Sequence, residues 1–245
     1  MSDHDRHRAD AGQLNWRWSQ TLAAALAAAG LGELVLSPGS RSSPLALAFL
    51  RQPAIRCHVI LDERSAAFFA LGLARASGRP TALLSTSGSA PANWFPAVIE
   101  ADLGAVPLLL LSADRPPELL GWGANQTIDQ HHLFGRHVRS FHAPAAPAAD
   151  FSAAYLQRLA VRALAESRWP LAGPVHLNLA FREPLLPAGD ALGDDGLLGG
   201  ADGVAVAGGS RHERERAWRV GGEWWPVGVG EWRAGLINLA RAPSS

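Results

Sequence analysis

The residues of this chain that could do chemistry are gathered in four polar stretches, each directly after an apolar run: Ser37-Pro38-Gly39-Ser40-Arg41-Ser42-Ser43-Pro44, Asp62-Glu63-Arg64, Ser85-Thr86-Ser87-Gly88-Ser89 and Ser112-Ala113-Asp114-Arg115-Pro116-Pro117-Glu118. Glu63 is the most informative. It stands between the apolar run 55–61 and the alanine-rich segment 65–76, at the joint between a strand and a helix N-terminus. Apolar walls raise a carboxylate pKa there, while helix amides and Arg64 lower it, so the group can be tuned for proton work. The simpler alternative is that Asp62 or Glu63 only caps the helix. In the first stretch, free amides after Gly39 together with Arg41 suit a carboxylate or phosphate; ordinary capping by Ser42 or Ser43 is the alternative. In the last, two prolines stiffen the loop that carries Arg115, which suits an arginine held for a planar anion. A surface salt bridge from Arg115 to Asp114 or Glu118 is its alternative.

The elements that must position these residues alternate along the chain. Residues 14–29 read as a helix closed by Gly30 and Gly32. Short apolar runs at 34–36, 55–61, 81–84, 107–111 and 175–179 read as buried parallel strands. Segments 44–50, 63–77, 91–103 and 150–167 have helical length and composition. This alternation predicts an α/β fold, a parallel β-sheet flanked by helices, in which ligands bind beyond the carboxyl ends of the strands. Residues 1–12 read as a disordered tail, 13–188 as the domain, and 189–245 as an irregular tail.

Composition excludes several function classes. The 22 basic residues balance 22 acidic ones, so no nucleic-acid or membrane-surface partner is implied. Every basic residue is arginine, which removes Schiff-base catalysis and a Walker lysine. Cys57 is the one cysteine, and no apolar run is long enough to span a membrane. These features predict a cytoplasmic protein. Gly30-Leu31-Gly32 precedes a strand instead of following one, which is wrong for a dinucleotide site. No Gly-x-Ser-x-Gly elbow occurs around Ser87 and Ser89. His131, His132, His137 and His142 show no metal-ligand spacing, and no metal site is expected in this chain.

The loops also carry a family resemblance. LSPGSRSSPL, LDERSAAFFALGLARASGRP, STSGSAPANWFPAVIEA and LSADRPPELLGWGANQTIDQ occur in that order, and over residues 15–186 the chain resembles the N-terminal, pyrimidine-binding domain of 2-succinyl-5-enolpyruvyl-6-hydroxy-3-cyclohexene-1-carboxylate synthase, a thiamine-diphosphate enzyme of menaquinone and phylloquinone biosynthesis. The run ADRPPEL…GANQ separates it from other thiamine-dependent decarboxylases and carboligases. The resemblance makes Glu63 the catalytic glutamate that hydrogen-bonds N1′ of the aminopyrimidine and favours the tautomer that takes the thiazolium C2 proton. The family joins decarboxylated 2-oxoglutarate to isochorismate by conjugate addition. By the same resemblance Ser40, Arg41, Arg115 and Gln126 contact substrate, and Pro38, Glu63, Ser87 and Asn93 contact the cofactor. Family members are homo-oligomers whose Mg2+ ligands lie in a C-terminal Gly-Asp-Gly…Asn domain. That motif is not matched by Gly193-Asp194-Asp195-Gly196. The stretch from Asp190 holds Trp218, Trp224, Trp225 and Trp232 in no regular period, and reads as out-of-frame translation, poorly ordered. A fragment that keeps the fold without turnover is the non-enzymatic alternative.

Overall fold

The computed structural model describes residues 3–187, 217–220 and 223–226. Helix α1 (Asp3–Ala28) leads into strand β1 (Glu33–Leu36), α2 (Ser43–Leu50), β2 (Arg56–Val59), α3 (Glu63–Ser77) and β3 (Thr81–Ser85). The short α4 (Ser89–Ala92), α5 (Phe95–Leu103), β4 (Leu108–Asp114), a 3-10 turn at Pro117–Leu119, β5 (Ser140–His142), α6 (Ala153–Glu166) and β6 (Pro174–Ala180) follow. The six strands form one sheet in the order β2-β1-β3-β4-β6-β5, and every neighbouring pair is parallel. Their carboxyl ends therefore lie along one edge, as the alternation of elements predicts.

Side chains alternate across the sheet with the period of two that a strand imposes. Leu34, Leu36, Ala82, Leu84, Leu109, Leu111, Val175 and Leu177 pack with α1, α2 and α6 through Leu22, Leu26, Phe49 and Leu159. Val35, Leu83, Leu108 and Leu110 face α3 and α5 on the other side, against Ala66, Ala70, Ala97, Val98 and Trp94. The alanines on α3 let that helix lie close to the sheet. Helix α3 has a clean start and stop: Asp62 accepts from the Ser65 amide at 2.7 Å, and Gly78 closes the helix at φ 66°.

Several elements depart from the sequence reading. Helix α1 begins at Asp3, not Leu14, and takes in most of residues 1–12. That stretch is mostly aspartate, histidine and arginine, so it lacks the apolar period on which the reading relied. The single helix expected at 91–103 is two, α4 and α5, broken at Asn93 and Trp94. Pro96 lacks the amide that would bond the Ala92 carbonyl and continue the first helix. Strand β5 carries Ser140 and His142 around one apolar residue, so no apolar run announces it.

The chain divides into two compact units, Met1–Leu197 and Leu198–Ser245. In the second, β7 (Ala217–Val220) and β8 (Glu223–Pro226) pair antiparallel, with Trp218 opposite Trp225. Gly221-Gly222, the residue pair that separates them, is a hairpin signal the composition had masked. The rest of the expected tail at 189–245 lies outside the described residues.

Edge strand β5 is pinned to α6 by Glu166. Ser140 and Arg162 donate to its carboxylate, and His142 Nε2 lies 2.8 Å from it. Burial pushes the carboxyl pKa up, but these hydrogen bonds outweigh it and bring it down to about 2. A folded pKa below the unfolded ~4.3 stabilises the fold at every pH above ~4.3, and that contribution disappears as pH falls from there to about 2. Glu166→Gln should therefore cost on the order of 1–2 kcal/mol at neutral pH and almost nothing near pH 2. Thermal melts across this range check it; an equal cost at both ends would refute the assignment.

Candidate active site

The parallel sheet brings the four polar loops and the segment after β6 to one edge. The loops also touch. Ser37 Oγ donates to the Ile60 carbonyl at 2.9 Å, tying the loop after β1 to the loop after β2. A Cβ at Gly39 would stand 2.3 Å from the Thr86 Cβ, so only glycine lets the first and third loops approach so closely.

Glu63 occupies the first turn of α3 and is partly exposed. The capping task falls to Asp62, and among the described residues nothing hydrogen-bonds to or pairs with the Glu63 carboxylate. A carboxylate held at a helix N-terminus, without a structural partner, is free to meet a ligand.

Arg41 is buried, with 4% of its surface exposed. Its Nη1 donates to the Phe181 carbonyl at 2.9 Å and its Nη2 to Glu183 at 2.6 Å, while its Nε has no partner. The neighbouring serines do not cap α2; Ser42 and Ser43 donate instead to the Gly39 carbonyl. Arg115 does not form the expected surface salt bridge. Glu118 is held by Arg182 through both carboxylate oxygens, and Asp114 accepts from Asn178 and from the Arg115 amide. The Arg115 guanidinium instead donates to Ser87 Oγ, and Ser87 donates in turn to the Gln126 carbonyl at 3.0 Å. Burial, then the nearby charge of Arg41, lowers the Arg115 pKa; Glu183 and Asp114 oppose the shift. Two guanidiniums thus share one electrostatic neighbourhood, which suits a carboxylate-rich ligand.

Of the residues singled out in the sequence, the structure joins Arg115, Ser87 and Gln126 by direct bonds and places Arg41 within their electrostatic reach. Pro38 and Ser40 are exposed on the first loop. Asn93 is exposed and donates to the Ser89 carbonyl at the end of α4, with no bond to the other candidates. Sequence reasoning missed Glu183, Gln130 and Asn178. Glu183 had a signal, because Arg182-Glu183-Pro184 is a fifth polar stretch after a strand; Gln130 and Asn178 had none that local pattern could supply.

Residues 17–133 match the model of the thiamine pyrophosphate enzymes, N-terminal TPP binding domain. The chain carries that domain. It is also 55% identical over 183 residues to a 2-succinyl-5-enolpyruvyl-6-hydroxy-3-cyclohexene-1-carboxylate synthase of Dechloromonas aromatica (strain RCB), covering 75% of this chain and 34% of the relative. A synthase of the same name from Thermobifida fusca (strain YX) is 56% identical over 163 residues, 66% of this chain and 30% of its own length. One from Haloarcula marismortui is 50% identical over 206 residues, 79% and 35%. The chain therefore spans about a third of the length of the curated relatives it matches.

The residues of this TPP-binding domain fit the pyrimidine end of the cofactor. Glu63 offers an unpartnered acceptor, and two buried polar atoms nearby in the loop cluster, Arg41 Nε and Thr86 Oγ1, have no partner within the domain. Among the described residues no group of three His, Cys, Asp or Glu side chains could hold a metal. Nor is any helix among them long and apolar enough to cross a membrane.

Proposed function

We propose that this chain is the pyrimidine-binding part of a thiamine-diphosphate-dependent transferase that joins decarboxylated 2-oxoglutarate to isochorismate by conjugate addition, in menaquinone or phylloquinone biosynthesis. The observation that carries the reading is the free Glu63 carboxylate at the strand-to-helix joint, with the cap supplied by Asp62. When bound, thiamine diphosphate supplies an acidic carbon and an electron sink for decarboxylation. Glu63 holds the proton at N1′ of the aminopyrimidine, and so sets the basicity of the amino nitrogen across the ring. Pro38, Ser87 and Asn93 belong to the cofactor side of the site. Arg41 and Arg115 bind substrate carboxylates, with Ser40 and Gln126 at their margin. Mg2+ and the diphosphate are held by residues outside this domain. Exposed Leu61 just before α3 and exposed Phe68 and Phe69 on it support a homo-oligomer in which these side chains are covered. The one cysteine, Cys57, is free and buried, which supports a cytoplasmic setting.

Arg115 gives the cleaner test of the substrate reading, because Arg41 also supports the segment that carries Phe181 and Glu183. In a chimera carrying residues 13–187 in place of the matching part of the Dechloromonas aromatica synthase, Arg115→Lys should raise KM for the carboxylate substrates by roughly 10- to 100-fold, since lysine loses the guanidinium fork. Unchanged KM for both substrates would remove Arg115 from the site.

A further inference from the structure

Two buried side-chain amides bond to the segments that carry Gly88 and Arg115. Gln130 and Asn178 are 0% and 3% exposed. Gln130 Oε1 accepts from the Gly88 amide at 2.8 Å, and its Nε2 donates to the Ala113 carbonyl at 3.1 Å and to Asn178 Oδ1 at 2.8 Å. Asn178 Oδ1 also accepts from Ser112 Oγ at 2.8 Å, and its Nδ2 donates to Asp114 Oδ2 at 2.7 Å. Asp114 Oδ1 accepts from the Arg115 amide at 2.7 Å. Neither amide can be turned over: a flipped Asn178 would face the Gln130 NH2 with its own NH2 and the Asp114 carboxylate with its own oxygen, and a flipped Gln130 would face two oxygens with its own oxygen. Ser112 directs its proton to Asn178, so the Nε2 of His176, 2.7 Å from Ser112, is the protonated nitrogen of a neutral ring; burial pushes the His176 pKa down to about 3.

These bonds close a ring. Starting from the Arg115 amide it runs through Asp114, Asn178 and Gln130 to Gly88, along the chain to Ser87, and from Ser87 Oγ back to the Arg115 guanidinium. Gln130 joins the half that holds the Arg115 side chain to the half that holds its backbone, through Asn178 and through the Ala113 carbonyl. Gly88 is fixed in the ring by its φ of 79°, with the Gln126 carbonyl 2.9 Å from where a Cβ would stand.

We propose that Gln130 and Asn178 are positioning residues: they couple the loop after β3 to the loop after β4 and so set where the Arg115 guanidinium stands. This rests on the reading of Arg115 as a carboxylate-binding group. Rigid support of this kind matters because a displacement of about 1 Å at a binding or reacting group costs on the order of 100-fold in rate.

The test is amide hydrogen exchange by NMR on the 245-residue chain, with succinate as a dicarboxylate probe. Gln130→Met keeps the size of the side chain and removes its polar atoms. It should speed exchange at Gly88 by about 10-fold or more while strands β1 and β3 stay protected. Asn178→Leu, which touches neither amide, should speed exchange at both Gly88 and Arg115. Ser112→Ala is the comparator: it also removes a buried bond to Asn178 but leaves the ring closed, and should leave both amides within about threefold of the parent. If Asn178→Leu does not fold, Gln130→Met alone decides. Unchanged exchange at Gly88 in that variant, or a uniform rise across the sheet, would overturn the proposal. Succinate should shift the Arg115 Nε–Hε resonance, with affinity about 10-fold weaker in Gln130→Met. Equal affinity in the two proteins would also overturn it. Absence of any succinate response in the parent chain would instead refute the carboxylate reading, and the exchange data would still decide the ring.

Discussion

Glu63→Gln should slow exchange of the cofactor's C2 proton by roughly 10^2- to 10^4-fold in the chimera with the Dechloromonas aromatica synthase, while thiamine diphosphate still binds. The substitution keeps the shape of the side chain and removes the group that holds the N1′ proton. The structure makes the test clean, because Glu63 carries no capping bond and no ion pair that its loss would break. Glutamine at the first turn of a helix is well tolerated, and stability should move by less than about 0.5 kcal/mol. Exchange of the C2 proton is read by NMR after a pulse of deuterated solvent. A rate equal to that of the parent would remove Glu63 from the reaction, and a large loss of melting temperature would mean the residue is structural instead.

The second large effect is expected on the chain by itself. Thiamine diphosphate with Mg2+ should bind the 245-residue chain at least about 100-fold more weakly than it binds the chimera. The described residues supply an acceptor for the aminopyrimidine, but no group of three His, Cys, Asp or Glu side chains that could hold a metal. A small ring with a few hydrogen bonds does not offset the cost of immobilising a flexible, charged ligand. Titration calorimetry measures this directly. Micromolar binding that depends on Mg2+ would show that the diphosphate site lies within this chain after all.

Much of the architecture is legible in the residues alone. Apolar runs without alternation mark strands buried on both faces, and alanine-rich segments between them mark the covering helices; together they require a parallel sheet. A parallel sheet requires that every loop after a strand share one edge. The polar stretches at 37–44, 62–64, 85–89 and 112–118 were therefore bound to meet, whatever their individual roles. The boundaries of α3 were readable to the residue, since Asp62 and Gly78 are local signals. Where local signals were weak, the reading failed: the first part of α1 is charged and carries no apolar period, and β5 is a three-residue edge strand with two polar members.

Tertiary structure alone decided which bonds these side chains make. Asp62 and Glu63 are adjacent acids, and only the placement of the Ser65 amide assigns the cap to the first and frees the second. Arg41 has two acidic or carbonyl partners 140 and 142 residues along the chain, beyond any sequence window. Arg115 stands one and three residues from acids that pattern would pair with it, yet Asn178 and the Arg115 amide engage Asp114, Arg182 engages Glu118, and its guanidinium turns to Ser87. The physical reason is common to all of these. Hydrophobic period and helix propensity act over a few residues and determine which elements form, whereas a buried polar group takes whatever partner the packed elements bring within about 3 Å, and must take one or remain unsatisfied at a cost of ~1–3 kcal/mol.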